Sequence, residues 1–293
     1  MKKLATALFL LLLVACSATQ NLSKKSDQGL WDLAHLSDEE LTMANELLVY
    51  GLEHEAIYTL IDTLKPISSL GYSLSYPIAK KAEMNDGDKH VVDITKDSSK
   101  TALDELRKWN NVLAALSNER FTFLLIPFKQ TRQGKRNLQI LVCRRDLLKE
   151  LILDKAEFFA QWGFTENTHP ATLLTTIEYE DRNDRFRAYG YLFGYPEYAV
   201  DFFVQASISE EVTGDFVKRD FFHMPVAVGT SGYFTYAIPK GSQPTAIDSS
   251  IYNRASATLK KYRSAKESYL NADGQLNAIS YLSDVYKSLR VNQ

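Results

Sequence analysis

Apolar residues recur along this chain at two spacings, and the segments change from one to the other. Leu41, Ala44, Leu47 and Leu48 fall three and four apart, which is one face of a helix. Ser37-Asp38-Glu39-Glu40 ahead of them has the spacing of a capping box, with Ser37 as N-cap and Glu40 reaching back to it. Past Gly51 the apolar positions change phase to Leu52, Ala56, Ile57, Leu60, Ile61 and Leu64. One straight helix cannot aim both stripes at one core, so the pattern predicts two helices broken near Gly51. Lys65-Pro66 stops the second.

Residues 71–99 show no period and read as irregular, with a polar tip at Asn85-Asp86-Gly87-Asp88. Leu103, Leu106, Trp109, Leu113 and Leu116 then line an amphipathic helix. Phe121–Ile126 and Asn137–Cys143 are β-rich, and the charged connection containing Gly134 predicts a hairpin. A long helix is expected from Arg145 to Trp162, carrying Leu148, Leu151, Ile152, Phe158 and Phe159. Thr172–Ile177 and Phe186–Phe193 suggest shorter helices. Pro196 suits the first position of another, with Ala199, Val200 and Phe203 facing inward. Tyr233–Ile238 reads as a third strand, closed by Pro239-Lys240-Gly241.

The chain ends in a predicted helical hairpin. Ile251, Ala255, Leu259 and Tyr262 mark one arm, and Leu276, Ile279, Tyr286 and Leu289 the other, with a turn at Asn271–Gly274. Helices dominate and the strands do not alternate with them, which disfavours a doubly wound sheet. The expected class is α+β, mostly helical, with one small antiparallel sheet formed by the 121–143 hairpin and the 233–238 strand. Residues 30–293 are read as a single globular domain.

The N-terminus follows a different pattern. Met1-Lys2-Lys3 precedes an apolar run from Leu4 to Ala15 in which Thr6 is the one polar residue. A positive start, a short apolar core and a small residue at its end make a secretory signal. The run is well short of the roughly 20 residues a membrane-spanning helix needs.

Leu13-Val14-Ala15-Cys16 resembles the lipobox of bacterial lipoprotein precursors, a resemblance confined to the first 16 residues. It implies a diacylglyceryl group on the Cys16 sulfur, cleavage between Ala15 and Cys16, and acylation of the new amino group. More than one acyl chain is what stable anchoring requires. In Gram-negative members, Asp after the cysteine retains the protein at the inner membrane. Ser17 stands here, so the resemblance implies the periplasmic face of the outer membrane. Residues 1–15 are then a signal peptide and 16–29 a lipidated cysteine plus tether. Ser17–Gly29 is too polar to form a core and, fully extended, reaches about 45 Å.

Removing residues 1–15 leaves 278 residues, and the formal charge moves from −2 to about −4 with the loss of Lys2 and Lys3. No basic field points to nucleic acid. The cysteines are Cys16 and Cys143. With Cys16 lipidated no disulfide can form, and Cys143 is expected to be a small buried hydrophobe in a strand.

No zinc helix, Cys-x-x-Cys pair or phosphate loop occurs. Gly229-Thr230-Ser231-Gly232 misses the Gly-x-Ser-x-Gly spacing and reads as a loop. His169 and His223 read as loop histidines without metal spacing. No cofactor and no metal are implied.

The best cluster of chemical groups is Glu53-His54-Glu55, followed by Tyr58, Asp62 and Lys65. Glu53 falls on the apolar face after Gly51, where a raised pKa would suit a general acid. It also falls in the expected first turn of the second helix, where the dipole welcomes a carboxylate, and that structural role is the preferred one. Lys129, Arg132, Lys135 and Arg136 crowd the hairpin connection, with Arg144 and Arg145 beyond it. Arg132, Lys135 and Arg136 are candidate contacts for lipopolysaccharide phosphates, set against a plain solvated turn. The 16 Tyr and 15 Phe, several within 189–196, offer rings for sugar or peptide, although helical spacing puts most in the core.

Two functions fit. The leading one is a membrane-anchored, non-catalytic binding or assembly module, its partner an envelope protein, lipopolysaccharide or glycan. The alternative is an envelope hydrolase of cell-wall or glycan material with Glu53 as acid, supported by His54 or Glu55.

Overall fold

The computed structural model describes residues 29–80 and 90–291. The signal segment, Cys16, most of the tether and the polar tip at Asn85–Asp88 lie outside the described residues. The order begins α1 Asp38–Glu53, a single turn α2 Ile57–Leu60, β1 Ile67–Pro77, and the short β2 Ala79–Lys80 and β3 His90–Val91. It continues α3 Asp97–Leu116, β4 Phe121–Arg132, β5 Lys135–Arg144, α4 Arg145–Asp154, α5 Ala156–Phe159, α6 Pro170–Tyr179 and α7 Arg182–Leu192. The rest is α8 Glu197–Thr213, β6 Arg219–Val226, β7 Gly229–Pro239, α9 Ala246–Lys266 and α10 Ala278–Val291. The class is α+β and mostly helical.

β1, β5 and β4 form a three-stranded antiparallel sheet in that order. β4 and β5 carry nearly continuous apolar runs, Phe121–Phe128 and Leu138–Cys143, because both faces of the sheet are covered there. Phe121, Phe123, Ile140 and Val142 enter one core, with Leu47, Leu48, Trp109, Leu259 and Leu282 from the helices. Their alternates Leu124, Ile126, Leu141 and Cys143 enter a second core against α4, α6, α7 and α8. A one-residue register slip would exchange the two sets. The β4–β5 turn is tight, with Gln133 (φ 52°) and Gly134 (φ 67°) both left-handed, as a two-residue primed turn demands.

Several expectations need correction. The irregular reading of 71–99 fails at both ends, since β1 runs to Pro77 and α3 begins at Asp97. β1 alternates Tyr72, Leu74 and Tyr76 with Gly71, Ser73 and Ser75, and its Pro77 is tolerated because the strand is an edge. The strand around 233–238 does not join the main sheet. As β7 it pairs with β6 in a separate hairpin, Phe222 opposite Tyr236 and Met224 opposite Phe234. β6 had no counterpart in the sequence reading.

The long helix over 145–162 breaks at Lys155. There the backbone leaves the helical region, and α5 plus a short 3₁₀ turn (Ala160–Trp162) bring Phe158 onto Tyr191 and Trp162. Pro196 is the N-cap of α8 and not its first residue.

Gly51 does not break a helix. α1 passes through it to Glu53, and the apolar phase changes at the His54–Ala56 turn instead. A Cβ on Gly51 would lie 2.8 Å from Leu70 Cδ2 and 3.0 Å from Leu60 Cδ1, so glycine is there for close packing. The predicted box at the start of α1 forms: Ser37 Oγ accepts from Glu40 N–H (3.3 Å), and Glu40 accepts from Ser37 N–H (2.9 Å). At the other end of the fold, Asn45 of α1 takes the Ala278 N–H (2.9 Å) and donates to Leu276 O (2.9 Å), joining α1 to the start of α10.

Candidate functional site

Because α1 ends at Glu53, this carboxylate sits at the end of a helix where the dipole is unfavourable to it. The expectation of a first-turn position is therefore overturned. Its charge is met from α9: Lys266 Nζ pairs with Glu53 Oε1, and the Tyr262 hydroxyl lies 3.5 Å from the same oxygen. Burial, then the charge on Glu53, pushes the Tyr262 hydroxyl pKa up. His54 stacks on Tyr50 with centroids 3.8 Å apart, and its Nδ1–H donates to Tyr50 O (2.9 Å). The three candidate residues thus point to three different partners.

Glu55 takes the ammonium of Lys65, whose side chain has no exposure. That ammonium also lies 4.4 Å from the Phe234 ring centroid and 5.0 Å from that of Phe193. Phe234 belongs to the first core and Phe193 packs on the second, so the cation sits where the two meet. Gly194, in the left-handed region (φ +73°), packs its backbone on Leu64–Lys65 so closely that a Cβ would meet Leu64 O. Beside this pair, Asp62 is bridged by Arg254 (2.7 Å) and the Thr258 hydroxyl, while Arg144 donates to Asp62 O (2.5 Å). Tyr58 donates to Pro225 O.

A further buried carboxylate escaped the sequence reading. Asp248 accepts from the hydroxyls of Tyr198 (2.6 Å) and Tyr236, and from Thr245 N–H (2.6 Å). Burial raises its pKa, but these hydrogen bonds outweigh that and hold it below the usual carboxylate range. Burial and then the bond to Asp248 push the Tyr198 hydroxyl up to about 12. The signal was present as Thr245-x-x-Asp248, a capping-box spacing ahead of the Ile251–Ala255 stripe.

The hairpin cations divide. Arg136 donates to Phe128 O (2.5 Å) and Lys129 O (3.0 Å), and Lys129 Nζ to Tyr179 O (2.8 Å). Arg132 and Lys135 are exposed at the strand ends. Cys143 is fully buried, and burial pushes its thiol pKa well up. Of the two histidines expected in loops, His169 does lie in the loop before α6, while His223 lies in a strand. His169 is the N-cap of α6, its Nδ1 accepting from Ala171 N–H (3.2 Å), and His223 lies in β6, 2.8 Å from Thr235 Oγ1. Gly229–Gly232 belongs to β7 and not to a loop.

Among the described residues no group of three or more His, Cys, Asp or Glu could hold a metal ion. No described helix is long and apolar enough to cross a membrane. Three surface cavities are lined by described residues. One of about 380 Å³ lies between Thr63–Pro66, α4 and Tyr191–Glu197. A second of about 380 Å³ is lined by Leu30, Asn118, Glu119, Arg120 and Asp146. The third, about 90 Å³, lies between α4 and the start of α6. None of the three is lined by Glu53, His54 or Glu55. No family model, curated protein or solved structure matches this chain.

Proposed function

We propose that this protein is a bacterial envelope lipoprotein, held on a membrane by lipid on Cys16, whose folded part works as a binding or assembly module and not as a hydrolase. The observation that carries it is the agreement of Lys2-Lys3, the Leu4–Ala15 core and Leu13-Val14-Ala15-Cys16 within 16 residues. One feature supports the non-catalytic part. A general acid must reach a substrate proton within hydrogen-bond distance, in a cleft that admits the substrate. Glu53 and Glu55 are instead each paired with a lysine inside the fold.

The test is labelling with a tagged fatty acid. The parent chain takes up label and fractionates with membranes, while Cys16→Ser takes up none and either accumulates as precursor or is released. Label on the Cys16→Ser protein would overturn the anchoring reading.

A further inference from the structure

Leu30, near the start of the described residues, is linked through Asn118 to Arg145, one of two cations on α4 that no described carboxylate neutralises. Leu30 O accepts from Asn118 Nδ2 (3.0 Å), and Asn118 O is 3.5 Å from Arg145 Nη1. Arg145 begins α4, and Lys149 follows one turn later on the same face. Both line the cavity of about 90 Å³, facing Glu166, Asn167, Thr168 and His169. That space equals about three water molecules of liquid volume, enough for a phosphate group.

The donors around it are largely unspent, Arg145 giving only Nη1 to Asn118 O (3.5 Å). Among the described residues neither Arg145 nor Lys149 lies within 4.0 Å of a carboxylate; Asp146 is turned to Arg144 (3.0 Å) and lines a different cavity. His169 uses Nδ1 to accept from Ala171 N–H, so in the neutral ring its proton is on Nε2, on an exposed side chain. Thr168 Oγ1 accepts from Thr165 N–H (2.9 Å), leaving its hydroxyl proton to give. The one acid in the lining, Glu166, accepts from Asn167 Nδ2 (2.9 Å). The Ala171 N–H is already taken by His169, so the attraction comes from the side-chain cations and not from the helix end.

We infer that Arg145, Lys149, Thr168 and His169 bind the phosphate of an anionic lipid headgroup, so that the face where the tether joins the fold lies against the membrane. This rests on the anchoring reading above. A tether of about 45 Å at full stretch lets that face reach the bilayer but does not orient it. Headgroup binding supplies the orientation. Each basic residue near an anionic surface contributes about 1 kcal/mol, or roughly fivefold in binding.

The experiment uses the full lipidated chain in vesicles of phosphatidylcholine, with and without phosphatidylglycerol, and follows acetylation of Lys149 by peptide mass spectrometry. Exposed Lys261 is the internal control. The expected result is roughly fivefold slower acetylation of Lys149 on anionic vesicles, with Lys261 unchanged. Arg145→Gln should abolish most of that protection and Arg145→Lys should keep it. Equal rates on both vesicles, or equal slowing at Lys261, would overturn the inference. Protection by inorganic phosphate without any from phosphatidylglycerol would overturn the lipid as source. A chain lacking lipid by mass fails to float with neutral vesicles, which defeats the anchoring reading. The phosphate arm on that same chain in solution still tests the cavity by itself.

Discussion

Glu55→Gln should destabilise the fold by about 3 kcal/mol near neutral pH, and the deficit should shrink as pH rises. Lys65 is fully buried, and Glu55, with a side chain 15 % exposed, is its one anionic partner among the described residues. At about 3 Å and an effective dielectric of about 20, the attraction is roughly 5 kcal/mol. Breaking a buried pair from one side typically costs about 3–5 kcal/mol, because the remaining charge is stranded. Gln keeps an acceptor oxygen, and the Phe193 and Phe234 faces still hold the ammonium, which places the loss at the low end. Burial dominates at Lys65 and lowers its pKa, against the pull of Glu55. Its folded value therefore lies under the unfolded one, about 10.4. Between the two values the unfolded chain holds more protons, so stability rises with pH across that window. Without Glu55 the window widens toward neutral pH. Urea melts at about pH 7 and about pH 9.5 would read both effects. Lys65→Met combined with Glu55→Gln removes the cation and should return to within about 1–2 kcal/mol of the parent. A Glu55→Gln protein within about 0.5 kcal/mol of the parent, or a deficit unchanged at high pH, would refute the stranded-cation argument.

Three other outcomes are expected. Cys143 should react slowly with a thiol reagent in the folded chain and rapidly after denaturation; equal rates would contradict its burial. Gly194→Ala should cost at least about 2–4 kcal/mol in urea melts, since the new Cβ combines left-handed strain with a clash on the Leu64 carbonyl. Gln133→Asn should raise stability by a few tenths to about 1 kcal/mol, because Asn enters the left-handed region more readily at this turn.

The sequence was most legible where one local rule was enough. The Ser37–Glu40 box, the stripes of α3 and α9, the β4–β5 hairpin and the Asn271–Gly274 turn each follow from spacing within a few residues. It failed where a distant element decided the outcome. The serines of β1 read as loop, yet the strand forms because β5 offers it a partner edge. Gly51 looked like a break because its neighbours Leu60 and Leu70 meet it only in the folded state. Arg219-Asp220-Phe221-Phe222-His223 shows little alternation, and β6 exists because β7 folds back on it. For the candidate site, the residues Glu53, Glu55 and Lys65 could be read from the sequence but their partners could not. Lys266 is more than 200 positions from Glu53, and no local pattern joins them.

That separation changes what the acidic groups do. Glu53 joins the end of α1 to the end of α9, Asp62 joins the turn after α2 to α9, and Asp248 ties α9 to α8 and β7. Glu55 holds Lys65 at the meeting of the two cores. A buried charge without a partner would be costly, so each such carboxylate is matched inside the fold and is unable to leave its partner cheaply. Acid–base chemistry needs the opposite, a group whose proton can move at little cost with substrate beside it. Cations with capacity to spare lie elsewhere, among them Arg145 and Lys149, and Arg145 is linked through Asn118 to Leu30 near the start of the described residues. If the lipid on Cys16 brings the fold to the bilayer, its side toward the membrane is then set by these cations. On that proposal, the side away from α4 and the start of α6 would be the one open to a partner.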